Sequence, residues 1–166
     1  MLRLIIHRLL PAALHRLILR LAHAIRIRWW RIRRPLLPGC RVLAVNPAGE
    51  VVLIRHSYGS AKWMLPGGGI ARGETPMAAA LRELAEETGC RLTCPVEIAI
   101  TRQVWHGADN VVHVIAGYTD DPPRADNREI AAARCFAPGA LPRGISASLA
   151  ANLPGWLSVL ASAKVY

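Results

Sequence analysis

A glycine run followed by a helix with both ends marked is the feature that most constrains how this chain can fold. The glycines at 67–69 allow the backbone to turn sharply and to approach other groups closely. Thr75 can cap a helix, Pro76 suits its first position, and Gly89 suits the position just past its end. The sequence therefore predicts a glycine-rich loop that leads into a helix over residues 76–88.

Three glutamates lie near the end of this predicted helix, at Glu83, Glu86 and Glu87. Their spacing of i, i+3 and i+4 places the side chains on one helix face, where like charges repel. Such a cluster is tolerated when the side chains spread into solvent, and it becomes favourable when hard divalent cations bind among the oxygens. Oxygen-only ligands indicate Mg²⁺ or Mn²⁺ rather than zinc. The glutamates thus form either a solvated helix face or a metal site.

Apolar runs alternate with turn signals along the rest of the chain. Residues 40–56 predict a hairpin around the turn 46–49, because both arms are rich in Val, Ile and Leu. The other predicted elements are strands over 96–105, 110–119 and 132–137 and a helix over 145–163 that Pro154 and Gly155 interrupt. Strands and helices interleave without a repeat, which predicts an α+β fold with a mixed sheet flanked by helices.

The positive charge of the chain is concentrated before its globular part. The 166 residues carry a formal net charge of +10, and the first ten arginines lie between Arg3 and Arg41. No acidic residue precedes Glu50, whereas from residue 42 onward 11 basic residues balance 11 acidic ones. We therefore expect a basic N-terminal segment over 1–39 and one nearly neutral domain over 40–166.

The four cysteines do not indicate a metal site or a disulfide framework. Cys40, Cys90, Cys94 and Cys135 lack the CxxC spacing that is typical of zinc sites. No cleavable signal sequence is apparent, which favours reduced and mostly buried thiols in a cytoplasmic protein.

The spacing of residues around the three glutamates resembles the Nudix box, the signature of the Nudix hydrolase family. The matching positions are Gly68, Glu74, Arg82, Glu83, Leu84, Glu86, Glu87 and Gly89, with Cys90 where the family has an aliphatic residue. A buried thiol behaves as a small apolar group, so Cys90 is a mild departure. The stretches WMLPGGG (63–69) and REIAAARCFAPGALP (128–142) are also similar to segments around the box. Chance matches of this spacing are rare, which favours the metal site over the solvated face.

The resemblance implies an α/β/α sandwich and the hydrolysis of a nucleoside diphosphate linked to another moiety. It also implies metal-assisted attack of water on phosphorus, with Mg²⁺ as the cofactor and Mn²⁺ as a substitute. A pyrophosphate repels hydroxide, so a metal that neutralises its oxygens and acidifies a bound water suits the reaction. The implied metal ligands are Glu86, Glu87 and the Gly67 carbonyl, and Glu83 is implied to be a ligand or the base.

The resemblance also implies roles for other residues in and near the box. Arg82 joins the catalytic set, where we expect it to pin a carboxylate because it lies four residues before Glu86. Glu74 is expected to brace the loop, and Gly68 and Gly69 permit close approach to a substrate phosphate. Glu129 matches an acid that in some relatives reaches the metal site from another loop, which makes it the alternative base.

Several residues outside the box are weaker candidates for contacts with a phosphorylated small-molecule substrate. Arg55, His56 and Lys62 flank the loop before the box, and Arg55 is the preferred phosphate partner, although exposed basic residues are usually only solvated. Trp105 and His106 lie at the end of a predicted strand and are candidates for stacking on a base, although a lone tryptophan more often packs.

Several substrates and three classes of activity are compatible with these residues. Loops outside the box choose the leaving group and carry no diagnostic pattern. Nucleoside triphosphates, ADP-ribose or other nucleotide sugars, dinucleoside polyphosphates and capped or triphosphorylated RNA are all candidates. A non-catalytic module that senses a nucleotide is the rival class, although such a module would be expected to lose a metal carboxylate. An isomerase acting on a diphosphate is the third hypothesis. The extra acid and cysteine pair of that type is not recognisable in the sequence.

Residues 1–34 combine arginines with an apolar stripe and no acids. Over a predicted helix at 12–33 the stripe consists of Leu14, Leu17, Ile18, Leu21 and Ile25. A membrane-spanning helix is disfavoured, because each arginine near the bilayer centre costs about 2.5–3.5 kcal/mol. A helix lying on an anionic membrane surface is favoured, since it needs both basic and apolar side chains. Packing of the stripe on the domain, a transit peptide and a nucleic-acid-binding arm are the alternatives.

Overall fold

The computed structural model describes residues 36–58, 61–105, 108–126 and 129–163, which form five strands and two helices. The strands are β1 (Leu36–Val45), β2 (Val51–His56), β3 (Thr93–Trp105), β4 (Ala108–Tyr118) and β5 (Ile130–Phe136). The helices are α1 (Pro76–Thr88) and α2 (Ala147–Ala163). The helix expected over residues 12–33 lies outside the described residues.

Within these ranges the strands form one sheet in the order β3–β4–β1–β2–β5. β1 runs parallel to β4, whereas the pairs β1–β2, β2–β5 and β3–β4 are antiparallel. Parallel strands need a long crossover, and here it carries β2, α1 and β3. The mixed sheet expected from the sequence is confirmed.

The two faces of the sheet carry two separate hydrophobic cores. Alternate residues of a strand point to opposite faces, so Val42 packs with Ala80 and Leu84 of α1, whereas Leu43 packs with Leu153 of α2. All five side chains are buried. The helices therefore cover opposite faces, and the expected α/β/α sandwich is confirmed.

β1 begins four residues before the expected start of the domain near residue 40. Residues 36–39 pair with residues 109–112 of β4. The sequence predicts a break at the prolines of this stretch, but a proline also biases the residue before it toward extended backbone, which a strand uses. The Pro38 carbonyl accepts a hydrogen bond from the Ile70 N–H at 3.1 Å. The sheet thus includes the last residues of the segment that the sequence separates from the domain.

The glycine loop lies between β1 and β2. The predicted turn is present, with the Gly49 N–H donating to the Asn46 carbonyl at 2.9 Å. Beyond the turn the two strands separate, because the Cys40 N–H donates to the Gly68 carbonyl at 2.9 Å and the Ile54 N–H to the Met64 carbonyl at 2.9 Å. The backbone bonds of β1 and β2 thereby hold the loop against the sheet.

The interruption predicted at Pro154 and Gly155 is wrong, because α2 is continuous through both residues. A proline inside a helix costs about 3 kcal/mol. The buried leucines Leu149, Leu153 and Leu160 lie before and after the proline and pack on the sheet, which offsets that cost. In the described ranges neither helix has the length and apolar character needed to span a bilayer.

Candidate active site

The two ends of α1 are formed by the residues that predicted them. The Thr75 hydroxyl accepts a hydrogen bond from the Ala78 N–H at 3.1 Å, and Pro76 occupies the first turn. Gly89 has a φ of 73°, in the left-handed region, and its N–H donates to the Ala85 carbonyl at 3.0 Å. These caps fix the residues at which α1 begins and ends. They therefore also fix the positions that the glutamates occupy along the helix.

The three glutamates of α1 differ strongly in exposure. Glu87 is buried, with 9% of its surface exposed. The Glu83 side chain is 16% exposed and that of Glu86 is 61% exposed. The cluster therefore runs from the interior to the solvent, so it is not a uniformly solvated helix face.

Glu87 is tied to the glycine loop by its buried carboxylate. The Gly67 N–H donates to Glu87 Oε2 at 2.7 Å, and His56 Nε2 lies 3.9 Å from Glu87 Oε1. Burial raises the pKa of Glu87 to about 8 against the opposing effect of the Gly67 hydrogen bond, and the charge of Glu83 raises it further. The hydrogen bond and charges around Glu87 thus do not offset the cost of burying its ionised form.

Gly67 is required at its position for a steric reason. Its φ of 139° lies where side chains are strained, and a Cβ on Gly67 would overlap the Cys40 carbonyl oxygen. The Gly67 carbonyl accepts a hydrogen bond from Arg41 Nη1 at 2.7 Å. Sequence reasoning missed Arg41, whose only local signal is that it is the one charged residue in the apolar run of β1.

Gly68 lies directly against the Glu83 carboxylate. A Cβ on Gly68 would come 2.5 Å from Glu83 Oε1, so this position also excludes a side chain. Burial raises the pKa of Glu83, and the hydrogen bond and positive charge of Arg82 oppose the rise. The loop and the helix therefore meet at two points, Gly67 with Glu87 and Gly68 with Glu83.

Arg82 joins the loop to the carboxylates. Its guanidinium donates to both oxygens of Glu74, at 2.9 and 3.0 Å, and to Glu83 Oε1 at 2.8 Å. It also donates to the Gly69 carbonyl at 3.2 Å and lies 3.4 Å from Glu86 Oε2. The Arg82 hydrogen bonds lower the pKa of Glu74 to about 2. Arg82 thus contacts Glu74, Glu83 and Glu86, and its pinning role and the brace role of Glu74 stay predictions.

Glu129 approaches the cluster from the loop before β5. Its carbonyl accepts from the Ser57 N–H at 2.8 Å, which anchors the loop to the end of β2. The negative charge of Glu129 contributes to the raised pKa values of Glu83 and Glu87, so it lies within electrostatic reach of both. The structure therefore brings the alternative base toward the α1 carboxylates.

The weaker candidates are placed differently. The Arg55 guanidinium lies 5.4 Å from the centre of the Trp63 ring, and Trp63 belongs to the core on the α2 side. Within the described residues no contact joins Arg55 to the glutamates of α1. Lys62 is exposed, His106 lies outside the described residues, and so does the side chain of Trp105. Phosphate binding by Arg55 stays a prediction.

The donor set of the cluster suits a hard divalent cation. Glu83, Glu86, Glu87 and the Gly67 carbonyl offer oxygen atoms only. Among the described residues, no three His, Cys, Asp or Glu side chains already stand in an arrangement that holds a metal ion. Arg82 draws Glu83 and Glu86 toward itself, while Glu87 faces the Gly67 N–H. The Glu86 contact is long and exposed, so the side chain can rotate toward a metal at little cost.

Curated relatives match part of the chain. An RNA pyrophosphohydrolase of Roseobacter denitrificans is 48% identical over 58 residues, which is 34% of this chain and 36% of that protein. An RNA pyrophosphohydrolase of Yersinia enterocolitica is 46% identical over 52 residues, which is 31% of this chain and 29% of that protein. The chain thus matches about a third of the length of these relatives.

Solved structures and a family model match more of the chain. A MutT Nudix hydrolase from Burkholderia pseudomallei superposes with a TM-score of 0.64 at 23% identity, over 75% of this chain and 98% of that one. A UDP-X diphosphatase superposes with a TM-score of 0.61 at 24% identity, over 76% of this chain and 63% of that one. These likenesses show the fold. The model of the NUDIX domain matches residues 35–154, which is most of the chain. The chain therefore belongs to the Nudix family.

Proposed function

We propose that the protein is a Nudix pyrophosphohydrolase that cleaves a phosphoric anhydride with the help of Mg²⁺ or Mn²⁺. The observation that carries the proposal is the burial of Glu87 beside Glu83 in a site where the pKa of both carboxyl groups is raised. Carboxylates with raised pKa values cluster at functional sites, and a bound divalent cation removes the cost of ionising them.

The residues of the site divide into ligands and supports. Glu86, Glu87 and the Gly67 carbonyl would hold the cation, with Glu83 as a further ligand or as the base. When bound, the cation neutralises phosphoryl oxygens and lowers the pKa of water. Arg82 keeps the loop and the helix together through Glu74 and Gly69, so the substrate meets a fixed surface.

A base is needed to accept the proton of the attacking water, and the site offers two. Glu83 lies against Gly68, and burial raises its pKa, which makes its carboxylate a stronger proton acceptor. Glu129 lies on a loop anchored to Ser57, and its charge contributes to the raised pKa values of Glu83 and Glu87. Glu83 and Glu129 therefore stay alternatives, which the turnover of Glu83→Gln and Glu129→Gln separates.

We propose a nucleoside diphosphate linked to another moiety as the substrate class. RNA pyrophosphohydrolases, a UDP-X diphosphatase and an Ap4A hydrolase of C. elegans are among the proteins to which this chain is similar. The molecules after which these proteins are named differ in the leaving group and share a phosphoric anhydride. The substrates to test first are therefore a triphosphorylated RNA end, a nucleotide sugar and a dinucleoside polyphosphate. Residence in the cytoplasm stays a prediction.

The rival hypothesis is a module that binds a nucleotide without hydrolysing it. A module of that kind does not need a base or a full set of metal carboxylates. Here Glu83, Glu86 and Glu87 are all present, and Gly67 and Gly68 are packed against two of them. These contacts support a hydrolase.

The proposal is tested by assaying the purified protein against the three substrates in Mg²⁺, in Mn²⁺ and in EDTA. Running the reaction in ¹⁸O-labelled water and following phosphorus by NMR identifies the attacked atom. We expect hydrolysis that disappears in EDTA and returns with the metal. Hydrolysis that persists in EDTA contradicts the metal mechanism, and binding without any hydrolysis supports the sensing module.

A matched pair of variants guards against a contaminating hydrolase. Glu87→Gln removes a buried carboxylate of the site, whereas Glu97→Gln removes a carboxylate of β3 that contacts His113 at 3.1 Å. We expect only Glu87→Gln to abolish turnover. Equal activity of the two variants would show that the activity does not come from this site.

A further inference from the structure

Arg41 is a charged side chain that the proposed chemistry leaves without a role. It lies partly buried on β1, and its Nη1 donates to the Gly67 carbonyl at 2.7 Å. A guanidinium has five N–H donors, and this is the one hydrogen bond that Arg41 makes within the described part of the chain. A partly buried guanidinium with donors to spare is suited to binding the oxygens of an anion.

Gly67 connects Arg41 to the carboxylates directly. The Gly67 N–H donates to Glu87 Oε2 at 2.7 Å, while its carbonyl accepts from Arg41. The Arg41 guanidinium and the Glu87 carboxylate therefore bind the carbonyl and the N–H of the same residue, Gly67. The positive charge of Arg41 also opposes the rise in the pKa of Glu87, which shows that the two groups interact electrostatically.

The described residues cover the sheet surface next to Arg41 only in part. Alternation along β1 puts Arg41 on the same face as Leu43, the face that α2 covers. Two residues earlier on that face stands Gly39, opposite Val112 of β4, and Val112 in turn is opposite Thr101 of β3. Arg41, Val112 and Thr101 are all partly exposed, so α2 does not cover this end of the sheet completely.

We propose that Arg41 forms a phosphate subsite beside the metal site and binds oxygens of the phosphoryl group next to the one that is attacked. This inference rests on the proposed function, since it needs a substrate with two linked phosphoryl groups. The Gly67 carbonyl holds the guanidinium in place, and the fork of a guanidinium presents paired donors to phosphate oxygens. Arg41 then helps to select substrates with a diphosphate over those with a single phosphate.

The subsite is tested with methylenediphosphonate, in which a P–C–P link that water does not cleave replaces the P–O–P link. Its affinity for the full chain in Mg²⁺ is measured by isothermal titration calorimetry. Arg41→Met is expected to weaken binding about 10- to 100-fold, the range for a lost charge-assisted hydrogen bond to phosphate. Arg41→Lys keeps the charge without the fork and should lie between the two. The control is Arg91→Met, since Arg91 is exposed and pairs with Asp121 at 3.6 Å.

A merely structural role of Arg41 makes a different prediction. If Arg41 acted only by positioning the Gly67 carbonyl, its loss would weaken Mg²⁺ binding to the substrate-free protein. If Arg41 binds phosphate, Arg41→Met leaves the Mg²⁺ affinity unchanged or raises it slightly, because a positive charge near the cation has been removed. Unchanged diphosphonate affinity, or equal losses of Mg²⁺ and diphosphonate affinity, would overturn the proposal.

The design separates this inference from the proposed function. The diphosphonate arm measures binding alone, so it reports on Arg41 even if no substrate is hydrolysed. Absence of hydrolysis by the wild type counts against the proposed function, whereas hydrolysis with a KM unaffected in Arg41→Met counts against the subsite. If Arg41→Met fails to fold, as judged by its thermal melt, Arg41→Lys decides the result by its diphosphonate affinity.

Discussion

Burial sets the ionisation of Glu87 and makes its stability contribution depend on pH. The pKa of this carboxyl group rises from 4.5 to about 8 on folding. Between these two values the unfolded chain has released the proton and the folded protein retains it, so without metal the free energy of unfolding falls as pH rises through this window. Above about pH 8 both states are ionised at this position and the dependence levels off.

The variant Glu87→Gln should remove this dependence. Glutamine can still accept the hydrogen bond from Gly67 and carries no charge to bury. In EDTA we expect the variant to be more stable than the wild type at pH 8, by on the order of a few kcal/mol, and similar to it at pH 5. Urea denaturation between pH 5 and 9 measures the difference. Parallel curves for the two proteins would show that Glu87 ionises normally.

Glu83 and Glu129 can be distinguished as the base by turnover. We expect Glu83→Gln and Glu129→Gln both to fold, and the one that removes the base to lower kcat by roughly 10²- to 10⁴-fold. At saturating Mg²⁺, where protonation of a metal ligand no longer limits turnover, the same variant should also lose the acidic limb of the pH–rate profile. Mg²⁺ affinity measured in parallel identifies the ligand. The assignment fails if neither variant changes the profile.

The role of Arg41 shows what a single sequence leaves out at this scale. The glutamates were predictable because their spacing on one helix is local, and the glycines because few residues tolerate such close approaches. Arg41 meets Gly67 only through the tertiary fold, 26 residues along the chain. The one local signal, a single charged residue in the apolar run of β1, does not indicate which group Arg41 contacts.

Among the elements, α1 was predicted with its observed bounds because Thr75, Pro76 and Gly89 act on their own neighbours. The separation of β1 from β2 was not predicted, since the glycine loop that lies between them comes from further along the chain. The continuity of α2 through Pro154 was also missed, because burial of its leucines against the sheet outweighs local propensity.

The brace between Arg82 and Glu74 is expected to hold the glycine loop in its catalytic conformation. Glu74 Oε2 accepts from the Ala71 N–H at 2.9 Å and from Arg82 at 3.0 Å, so Glu74→Gln weakens both contacts. We predict faster hydrogen exchange at the Ala71 amide and a drop in kcat of about tenfold, with the melting temperature of the whole domain little changed. Hydrogen exchange resolved by NMR measures the local effect. Unchanged exchange would contradict the brace.

The molecule as a whole combines a domain whose fold was predictable with a basic segment that carries most of the net positive charge. Interleaved strands and helices suffice to predict a mixed sheet covered on both faces, because each apolar face needs a partner. The strand order depends on a parallel pairing of β1 with β4 across the chain, which no local pattern encodes.

Membrane contact by residues 1–34 stays a prediction from their arginines and apolar stripe. We expect the full chain to sediment with vesicles that contain anionic lipid at low salt and to be released as salt screens the arginines. Vesicles of neutral lipid and a chain that begins at residue 35 are the controls. If the full chain remains in the supernatant with anionic vesicles, the segment has another role.

The start of β1 predicts how far the N-terminal segment can be shortened. A chain from residue 35 keeps the whole of β1, whereas a chain from residue 40 loses the pairing of residues 36–39 with β4. It also loses the Pro38 carbonyl that holds the Ile70 N–H and the bridge between Gly39 and Gly69.

We expect the shorter chain to melt roughly 5–10 °C lower, since several hydrogen bonds of about 1 kcal/mol are lost. Its hydrolytic activity should fall more than its stability, because the lost bonds hold the glycine loop that contacts Glu83 and Glu87. Calorimetry and activity of the two truncated chains, each compared with the full chain, check this, and equal melting temperatures would show that residues 36–39 do not belong to the folded domain.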